Sequence, residues 1–324
     1  MKKKVLFISI KFYEYINEIK SAIEETIDAD VDCMVMDYSY NKLERLWNKL
    51  SHNNYIAEQE KKQQREFFES IESKEYDYIF VLVGRGLYPH VFHEFIVKQK
   101  QAQKILYLWD DKKRVQNFED IKNEFDRIVS SDSRDCDEFG FEFLPLFYIN
   151  RYRYKNEEKD IDFSCTGEWH SRRAEILQSI IDVFPENKYK WYALLSTVKN
   201  VYIRRRLNGE ISGKKPWFIK FNKISLQENA DILKRSKVVI DMPYASQSGL
   251  SIRTFEALAA KTKLITTNKN VVNYDFYNES NIYVIDYDNP IVDSEFLKNE
   301  YQELNTDTYE KYSINSWIKN LFHL

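Results

Sequence analysis

The chain has 324 residues, of which 43% are hydrophobic and 15% aromatic, and its formal net charge is −3. This length is sufficient for two domains of ordinary size, each with its own core. The composition is typical of a well-packed globular protein. The small net charge argues against a global basic field that would recruit nucleic acid, so we expect no nucleic-acid partner.

The three cysteines, Cys33, Cys136 and Cys165, are far apart and odd in number. They form neither a disulfide framework nor a zinc-ligand spacing, which favours a reducing cytosol. The apolar run after MKKK is short and KFYEY follows directly, so it predicts a first buried strand instead of a signal sequence. No apolar run approaches the length of a membrane span. We therefore expect a cytoplasmic protein.

Strands and helices alternate through the first half of the chain. Helices are predicted up to Thr26 and, as one long charged helix, over residues 42–71. This alternation predicts a parallel sheet with helices on both faces, and ligands bind such sheets at the carboxyl ends of strands. The predicted strands are VLFISI, VDCMVMDY, YDYIFVLVG and ILYLWDD, then the shorter DRIVSSD and FEFLPLF.

The composition changes near Asn150, where RYRYKNEEKD is charged and poor in aliphatic residues, as linkers are. A second α/β pattern follows, and YEKYSINSWIKNLFHL predicts a final amphipathic helix. We therefore divide the chain into residues 1–155, residues 156–305 and a terminal helix over 306–324. The second pattern contains the predicted strands IDFSCTG, WFIKFN, VVIDM and NIYVIDY, helices in EWHSRRAEILQSIIDVF and SLQENADILKRS, and KYKWYALLS, whose type is open.

The stretch QSGLSIRTFEALAAKTKLITTN (247–268) follows the apolar strand VVIDM and predicts a strand, polar loop, helix and strand. Its loop would present backbone N–H groups at a helix N-terminus, where a diphosphate binds well. Arg253 and Glu256 share one helix face: the cation suits a diphosphate and the carboxylate suits the hydroxyls of a ribose. The alternative is a surface ion pair in an ordinary βαβ unit. The predicted loop residues are Gln247, Ser248, Gly249 and Leu250.

The pattern Q-S-G-L-S-x-R-T-F-E-A-L-A, then K-L-I-T-T-N, resembles the donor-site segment of bacterial GT-B glycosyltransferases, in particular those that build capsule, lipopolysaccharide and other surface glycans. The resemblance is strongest over residues 236–268 and extends loosely over most of the chain. In that superfamily the glutamate of this helix usually holds the donor ribose, which matches Glu256. The resemblance implies two Rossmann-like domains facing across a cleft, with the C-terminal helix returning to the N-terminal domain.

A second candidate anion site follows the strand IDFSC. It is predicted as a turn at Gly167 that leads into a helix with Arg172 and Arg173 in its first turn. Cations are unfavourable at a helix N-terminus, so the two arginines indicate an anionic ligand whose charge would offset this unfavourable interaction. The matching loop in similar glycosyltransferases contacts the donor phosphates, and we favour Arg172 over Arg173. A solvated basic patch is the alternative.

Three loops complete the predicted site. The backbone near residues 221–224 is similar to a GT-B loop that wraps the base, although a plain loop is equally compatible with the sequence. In the first domain, Gly84, Arg85 and Gly86 form a candidate acceptor-side loop, because two glycines allow close backbone approach. His90 is a candidate base, with a structural histidine as the alternative. Asp110 resembles a strand-end carboxylate of similar enzymes and is our candidate general base, with helix capping as the alternative.

The sequence therefore predicts a glycosyltransferase in bacterial surface polysaccharide biosynthesis. A nucleotide-sugar is the donor substrate, a glycan or lipid-linked molecule is the acceptor, and Arg253 helps neutralise the departing diphosphate. We expect no cofactor and no metal ion, because GT-B enzymes do not use the D-x-D spacing seen at residues 135–137 and 286–288. The Arg204–Arg206 run is a solvated face that could touch anionic lipid headgroups, so peripheral contact with the inner membrane is open.

Two alternatives remain. The first is a nucleotide-sugar epimerase of the same architecture, which would turn over a donor without any acceptor. The second is a non-catalytic glycan-assembly partner that retains the fold. Failure to bind any nucleotide, with Glu256 buried in a salt bridge, would favour the second.

Overall fold

The structure is a computed structural model that describes residues 2–11, 14–37, 40–52, 54–211 and 213–324. The described chain divides into two compact units. The first comprises the residues up to Pro145 together with Ile318–Leu324, and the second comprises Leu146–Trp317. Residues 146–155, which the sequence analysis placed at the end of the first domain, therefore belong to the second unit.

The first unit contains a six-stranded parallel sheet in the order β2-β1-β3-β4-β5-β6. Its central strands are apolar runs because both of their faces are buried, as is usual for parallel sheets. The predicted strand FEFLPLF contributes only two residues, and Tyr38 at the end of the predicted VDCMVMDY lies outside the described residues. The strands are β1 (Lys3–Ile10), β2 (Ala29–Met36), β3 (Tyr78–Leu82), β4 (Gln103–Leu108), β5 (Arg127–Ser130) and β6 (Glu142–Phe143).

The helices of the first unit cover its sheet, but the predicted long helix over residues 42–71 is wrong. A capping box starts the first of two helices, where the Asn41 side chain accepts from the N–H of Glu44 and the Glu44 side chain accepts from the N–H of Asn41. That helix ends before a turn in which His52 has a φ of 53°. The helices are α1 (Tyr15–Thr26), α2 (Lys42–Leu50), α3 (Asn54–Ser70), α4 (Pro89–Ile96), α5 (Phe118–Ile121) and α6 (Ser133–Phe139), with 3₁₀ turns at Lys112–Arg114 and Lys122–Glu124.

The second unit also contains a six-stranded parallel sheet, in the order β12-β11-β10-β7-β8-β9. The chain starts this sheet at β7, builds outward on one side and then returns to build on the other, so the strand order reverses between β7 and β10. The open segment KYKWYALLS contains β8. The strands are β7 (Ile161–Glu168), β8 (Trp191–Ser196), β9 (Ile219–Lys220), β10 (Ser236–Asp241), β11 (Lys263–Thr266) and β12 (Ile282–Val284).

The predicted single C-terminal helix is two helices, α12 and α13, and residues 318–324 belong to the first unit. There Phe322 packs edge-on against Tyr78 and Phe80, and Arg127 donates to the carbonyl of Leu321. The helices are α7 (Arg173–Val183), α8 (Lys199–Leu207), α9 (Leu226–Arg235), α10 (Ile252–Ala259), α11 (Glu295–Lys298), α12 (Thr306–Lys311) and α13 (Ile314–Leu321), with 3₁₀ turns at Asn150–Tyr152 and Lys269–Asn273.

The predicted α/β class, with two parallel-sheet units, is confirmed. Within the described ranges, no helix combines the length and the apolar character that crossing a bilayer requires.

Candidate functional site

The carboxyl ends of β7 and β10 lie side by side, because these parallel strands are direct neighbours in the sheet. The strand order reverses between them, and ligands of open α/β sheets bind outside the strand ends at such a reversal. The loop after β10 and the start of α10 contain most of the predicted donor-side residues, and Arg172 and Arg173 follow β7. The predicted donor residues are therefore grouped at one edge of one sheet.

Arg173 joins the two strand ends. Its Nε atom donates to the carbonyl of Met242, just after β10, at 2.6 Å, and its Nη1 atom donates to the carbonyl of Glu168, the last residue of β7, at 3.0 Å. A guanidinium held this way keeps a positive charge at the reversal point of the sheet.

Gly167 lies within β7, so its predicted position in a turn is wrong. A Cβ atom added to Gly167 would lie 2.8 Å from Nη1 of Arg173, closer than atoms can pack. The Arg173 guanidinium lies against the backbone of Gly167, so a side chain at this position would make the end of the Arg173 side chain shift. The turn lies further along the chain, where Ser171 has a φ of 46°.

Arg172 is exposed and faces acidic side chains. Its Nε atom donates to Glu175 at 2.8 Å and its Nη1 atom donates to Asp288 at 2.9 Å. It occupies the N-cap position of α7, whereas Arg173 is the first helical residue. Of the two arginines, the structure directs Arg173 to the strand ends.

Arg253 and Glu256 meet on α10, as their spacing requires. Nη1 of Arg253 donates to Oε2 of Glu256 at 2.6 Å, and Nη2 contacts the carbonyl of Thr166 in β7 at 3.4 Å. Glu256 is only 2% exposed. The carboxylate predicted to face a ribose is therefore part of a buried ion pair.

Three residues that the sequence analysis missed extend this ion pair into a network. Asn229 donates to the hydroxyl of Tyr152 at 2.5 Å and accepts from the hydroxyl of Thr166 at 2.6 Å. Burial raises the pKa of Tyr152 well above its usual range, and the neighbouring charge of Glu256 and a hydrogen bond to it act in the same direction. Tyr152 lies in RYRYKNEEKD, so the interpretation of that segment as a linker is wrong at this point.

Asp241, the last residue of β10, is a second missed carboxylate. It is buried and accepts from the hydroxyl of Ser251 at 2.6 Å. Burial raises its pKa, while the Ser251 hydrogen bond and the charges of Arg173 and Arg253 oppose that rise. Ser251 is the N-cap of α10, but its hydroxyl contacts Asp241, so its side chain does not cap the first-turn N–H groups of that helix. The sequence contained one sign of this residue, since Asp241 is an acidic residue at the end of the apolar strand VVID.

The glycine loop is fixed by asparagines that follow β11. The side chain of Asn268 donates to the carbonyl of Gly249 at 3.0 Å, and that of Asn270 donates to the carbonyl of Ser248 at 2.9 Å. Ser248 and Leu250 are buried, and Gln247 is half-buried. The loop conformation is thus set by the chain itself.

One aromatic contact involves the chain just before this loop, and a second involves the predicted base loop. The ring of Tyr244 stacks on that of His170, with centroids 3.8 Å apart. In the predicted base loop, Lys223 donates to Oε1 of Glu168 at 2.5 Å, which ties that loop to the end of β7. The partly exposed Phe221 packs edge-on against Tyr202.

The glycine loop of the first unit follows β3 and has an unusual backbone. Gly84 and Gly86 have φ values of 72° and 88°, and the preceding Val83, a β-branched residue, has a φ of 75°. Such strain persists only where the surroundings impose it. The buried Gln64 of α3 fixes the later part of this loop: its amide donates to the carbonyl of Gly86 at 2.6 Å, and its side-chain oxygen accepts from the N–H of Tyr88 at 3.0 Å.

The charged candidates of the first unit surround this loop. Arg85 and His90 are exposed, and His90 lies in the first turn of α4. Asp110 follows β4, and burial raises its pKa, an effect that the charges of Arg114 and Arg85 oppose. Arg85 and Asp110 are therefore within electrostatic reach of each other. In the next residue, Oδ1 of Asp111 is buried and has no hydrogen-bond partner among the described atoms.

Among the described residues, no three His, Cys, Asp or Glu side chains come together in a way that could hold a metal ion. Asp286, in one of the D-x-D triplets, accepts from Lys269 at 2.8 Å and from two backbone N–H groups.

No protein-family model matches the sequence, and no curated protein does. Solved structures, however, resemble the chain over nearly its whole length. HepE of Anabaena, in complex with UDP-glucose, has a TM-score of 0.63 at 9% identity, covering 99% of this chain and 98% of that one. The lipopolysaccharide outer core galactosyltransferase WaaB has a TM-score of 0.51 at 11% identity, covering 99% of both. The chain has the GT-B fold.

A third similar structure carries a different activity. A protein of Listeria monocytogenes assigned as a UDP-N-acetylglucosamine 2-epimerase has a TM-score of 0.52 at 12% identity, covering 99% of this chain and 95% of that one. At identities this low, the shared property is the fold.

Proposed function

We propose that this chain is a metal-independent glycosyltransferase of bacterial surface polysaccharide biosynthesis, which transfers a sugar from a nucleotide-sugar to a glycan or lipid-linked acceptor. The observation that carries the proposal is the pair of arginines at the strand-order reversal of the second sheet. Arg173 and Arg253 lie there beside the N-terminus of α10, which the Ser251 side chain does not cap. Fold likeness to a UDP-glucose complex supports a nucleotide-sugar as the ligand.

In this proposal the diphosphate lies at the first turn of α10. The Ser251 side chain does not cap the N–H groups there, and the helix dipole favours negative charge at this end. Arg173 and Arg253 add two cations that the backbone already holds in place. Because the leaving diphosphate gains charge as the glycosidic bond breaks, such preorganised cations stabilise the transition state more than the ground state.

Glu256 is proposed to orient the donor ribose, with its Oε2 atom shared between the ribose and Arg253. The glycine loop, from Gln247 to Leu250, approaches the donor with a backbone that Asn268 and Asn270 fix. Gly167 leaves room for the Arg173 guanidinium. Arg172 lies further from the strand ends, where it donates to Asp288.

Asp110 is proposed as the general base that accepts the proton of the acceptor hydroxyl. Burial raises its pKa, which moves a carboxylate towards the range where it accepts a proton effectively near neutral pH. The loop of Gly84, Arg85 and Gly86 contacts the acceptor, and His90 is a second candidate base. We propose a cytoplasmic location, with peripheral contact at the inner membrane when the acceptor is lipid-linked.

Thermal unfolding with a panel of UDP, GDP, CMP, dTDP and ADP, with and without EDTA, tests the donor site. A ligand that binds only the folded state raises the unfolding midpoint. We expect one nucleotide to raise it, equally with EDTA present, and expect that rise to be lost in Arg173→Ala. The absence of a rise with any nucleotide would contradict the proposal.

One observation favours a second candidate, a non-catalytic glycan-assembly partner. Glu256 is buried in a salt bridge, as expected of a fold that has lost its donor contact. Donor binding decides between the two, since a non-catalytic partner would give no nucleotide-dependent rise in wild type or in Glu256→Gln. The epimerase alternative is supported by the Listeria structure. Conversion of a nucleotide-sugar without any acceptor would favour that activity.

A further inference from the structure

Helix α2 presents its apolar residues to solvent. Leu43, Leu46, Trp47 and Leu50 follow a spacing of three and four residues, which places them on one face. Their exposed fractions lie between 53% and 69%. No residue of α2 is buried, and its two half-buried side chains, Glu44 and Asn48, are polar. The helix is therefore oriented opposite to an ordinary surface helix.

Polar contacts hold this orientation. Oε2 of Glu44 accepts from the N–H of Asn41 at 2.7 Å in the capping box. Oδ1 of Asn48 accepts from the N–H of Ile56, in the first turn of α3, at 3.0 Å. The Asn48 bond attaches the polar face to α3, and the apolar face, here called the α2 stripe (Leu43, Leu46, Trp47 and Leu50), is directed outward.

The charges of α2 suit an anionic partner. Lys42, Arg45 and Lys49 are exposed, and the only acidic residue, Glu44, lies on the inward side. At 100° per residue, Lys42 and Lys49 flank the α2 stripe beside Leu46. An apolar stripe with tryptophan and leucine, bordered by lysines, is the pattern of a helix that lies in a membrane interface.

Helix α8 of the second unit has a similar outer face. Ile203 and Leu207, one turn apart, are 52% and 82% exposed. Lys199, Arg204 and Arg206 are exposed beside them, and α8 contains no acidic residue. This outer face of α8 carries the same combination of apolar and cationic groups.

We propose that the α2 stripe inserts into the interfacial region of an anionic lipid bilayer, with Lys42 and Lys49 at the headgroup phosphates, and that the outer face of α8 has affinity for the same kind of surface. The charge complementarity favours this occupant over a second copy of the chain. The inference rests on the proposed function in one respect, since it names the surface that makes the proposed peripheral membrane contact. Vesicle binding requires neither donor nor acceptor, so its failure is distinguishable from a failure of the proposed sugar transfer.

Sedimentation with vesicles tests the proposal. We expect the full chain to bind vesicles of phosphatidylglycerol and phosphatidylcholine, more weakly at high salt, and to bind pure phosphatidylcholine poorly. Leu46→Glu is expected to lower the partition coefficient at least about tenfold. The matched control is Ile291→Glu, which places the same charge at a side chain that is 64% exposed outside both helices, and is expected to bind like wild type.

Charge is tested separately from apolar contact. Lys42→Gln combined with Lys49→Gln should weaken binding to anionic vesicles about tenfold or more. Lys100→Gln combined with Lys188→Gln removes the same charge from exposed positions elsewhere and should have little effect. Leu207→Glu, tested by itself, should also lower binding to anionic vesicles, since the outer face of α8 has the same chemistry.

Depth is tested by quenching of tryptophan fluorescence with brominated phospholipids. We expect quenching in wild type and its loss in Trp47→Phe, because Trp47 is on the α2 stripe. The proposal is overturned if anionic vesicles do not bind the chain, or if Leu46→Glu binds them like wild type. It is also overturned if the chain forms a dimer that Leu46→Glu abolishes, since the stripe would then be covered by a second copy.

Discussion

The carboxyl edges of the two sheets are ordered in different ways. At the edge of the second sheet, the charged side chains hold one another and the backbone: Arg173 bonds two carbonyls, and Arg253 bonds Glu256. At the edge of the first sheet, the order lies in the backbone, through Val83 and its neighbouring glycines, while Arg85 stays exposed. The charged groups at the edge of the second sheet are therefore preorganised for a ligand whose charge is always the same. At the edge of the first sheet, the exposed Arg85 can rearrange to fit different ligands.

The largest expected effect comes from breaking the buried pair. Glu256→Ala would leave the Arg253 guanidinium largely buried without its carboxylate, so the free energy of unfolding should fall by about 3 kcal/mol. Chemical denaturation measures this change. The sequence alone predicts a loss of donor binding, and the structure adds this loss of stability.

The double variant Glu256→Ala/Arg253→Ala is the control for the pair. Because it leaves no unpaired charge, it should be more stable than Glu256→Ala alone. Equal stability of the two variants would show that the pair does not organise this edge.

Gly167→Ala should have the next largest effect. The new methyl group would displace the Arg173 guanidinium from its two carbonyls, at a cost of about 2 kcal/mol. In an Arg173→Ala background the same change should cost far less. If Gly167→Ala costs the same in both backgrounds, the glycine is required for some other reason.

Gln64→Leu tests the edge of the first sheet. It removes the amide that satisfies Gly86 and Tyr88, so the free energy of unfolding should fall by about 1.5 kcal/mol and the acceptor KM should rise. Gln99→Leu is the matched control, since Gln99 is also buried and donates to the backbone carbonyl of Lys74. Gln99→Leu should lower stability and leave the acceptor KM unchanged. A rise in the acceptor KM of Gln99→Leu would show that the effect of Gln64→Leu is not specific to the loop that Gln64 holds.

The smallest expected effect concerns pH. The charge of Arg85 lowers the pKa of Asp110, against the larger rise caused by burial. Arg85→Gln should therefore raise that pKa and move the acidic limb of the kcat/KM profile to higher pH. The shift should be a few tenths of a unit at low salt and smaller at high salt, because Arg85 is exposed. An acidic limb that does not move, or that moves to lower pH, would separate Arg85 from the base.

The sequence predicts those features that depend on neighbours along the chain. Parallel strands buried on both faces are apolar runs, which made VLFISI and VVIDM recognisable. The meeting of Arg253 and Glu256 follows from helical spacing. Tyr152, in contrast, gains its role from Asn229, which lies 77 positions later, so the local composition of RYRYKNEEKD gave no sign of it.

Gly167 and α2 show two further limits. A glycine is typical of a turn, but here it is required by a side chain that packs against a strand, and only the tertiary structure shows that contact. The break between α2 and α3 depends on the left-handed backbone at His52, which is uncommon for residues other than glycine. In both cases, the structure departs from what local propensity predicts.

The position of Tyr152 also bears on autonomous folding. The N–H of Tyr154 donates to the carbonyl of Ala259 at the end of α10, and Arg151 donates to Gln227 of α9, so this segment is joined to the second unit at several points. A fragment that began at residue 156 would lack these bonds and would leave Asn229 and Glu256 without the Tyr152 hydroxyl. A fragment that keeps these bonds at the carboxyl edge of the second sheet must therefore include Arg151 and Tyr152, and the compact second unit itself begins at Leu146.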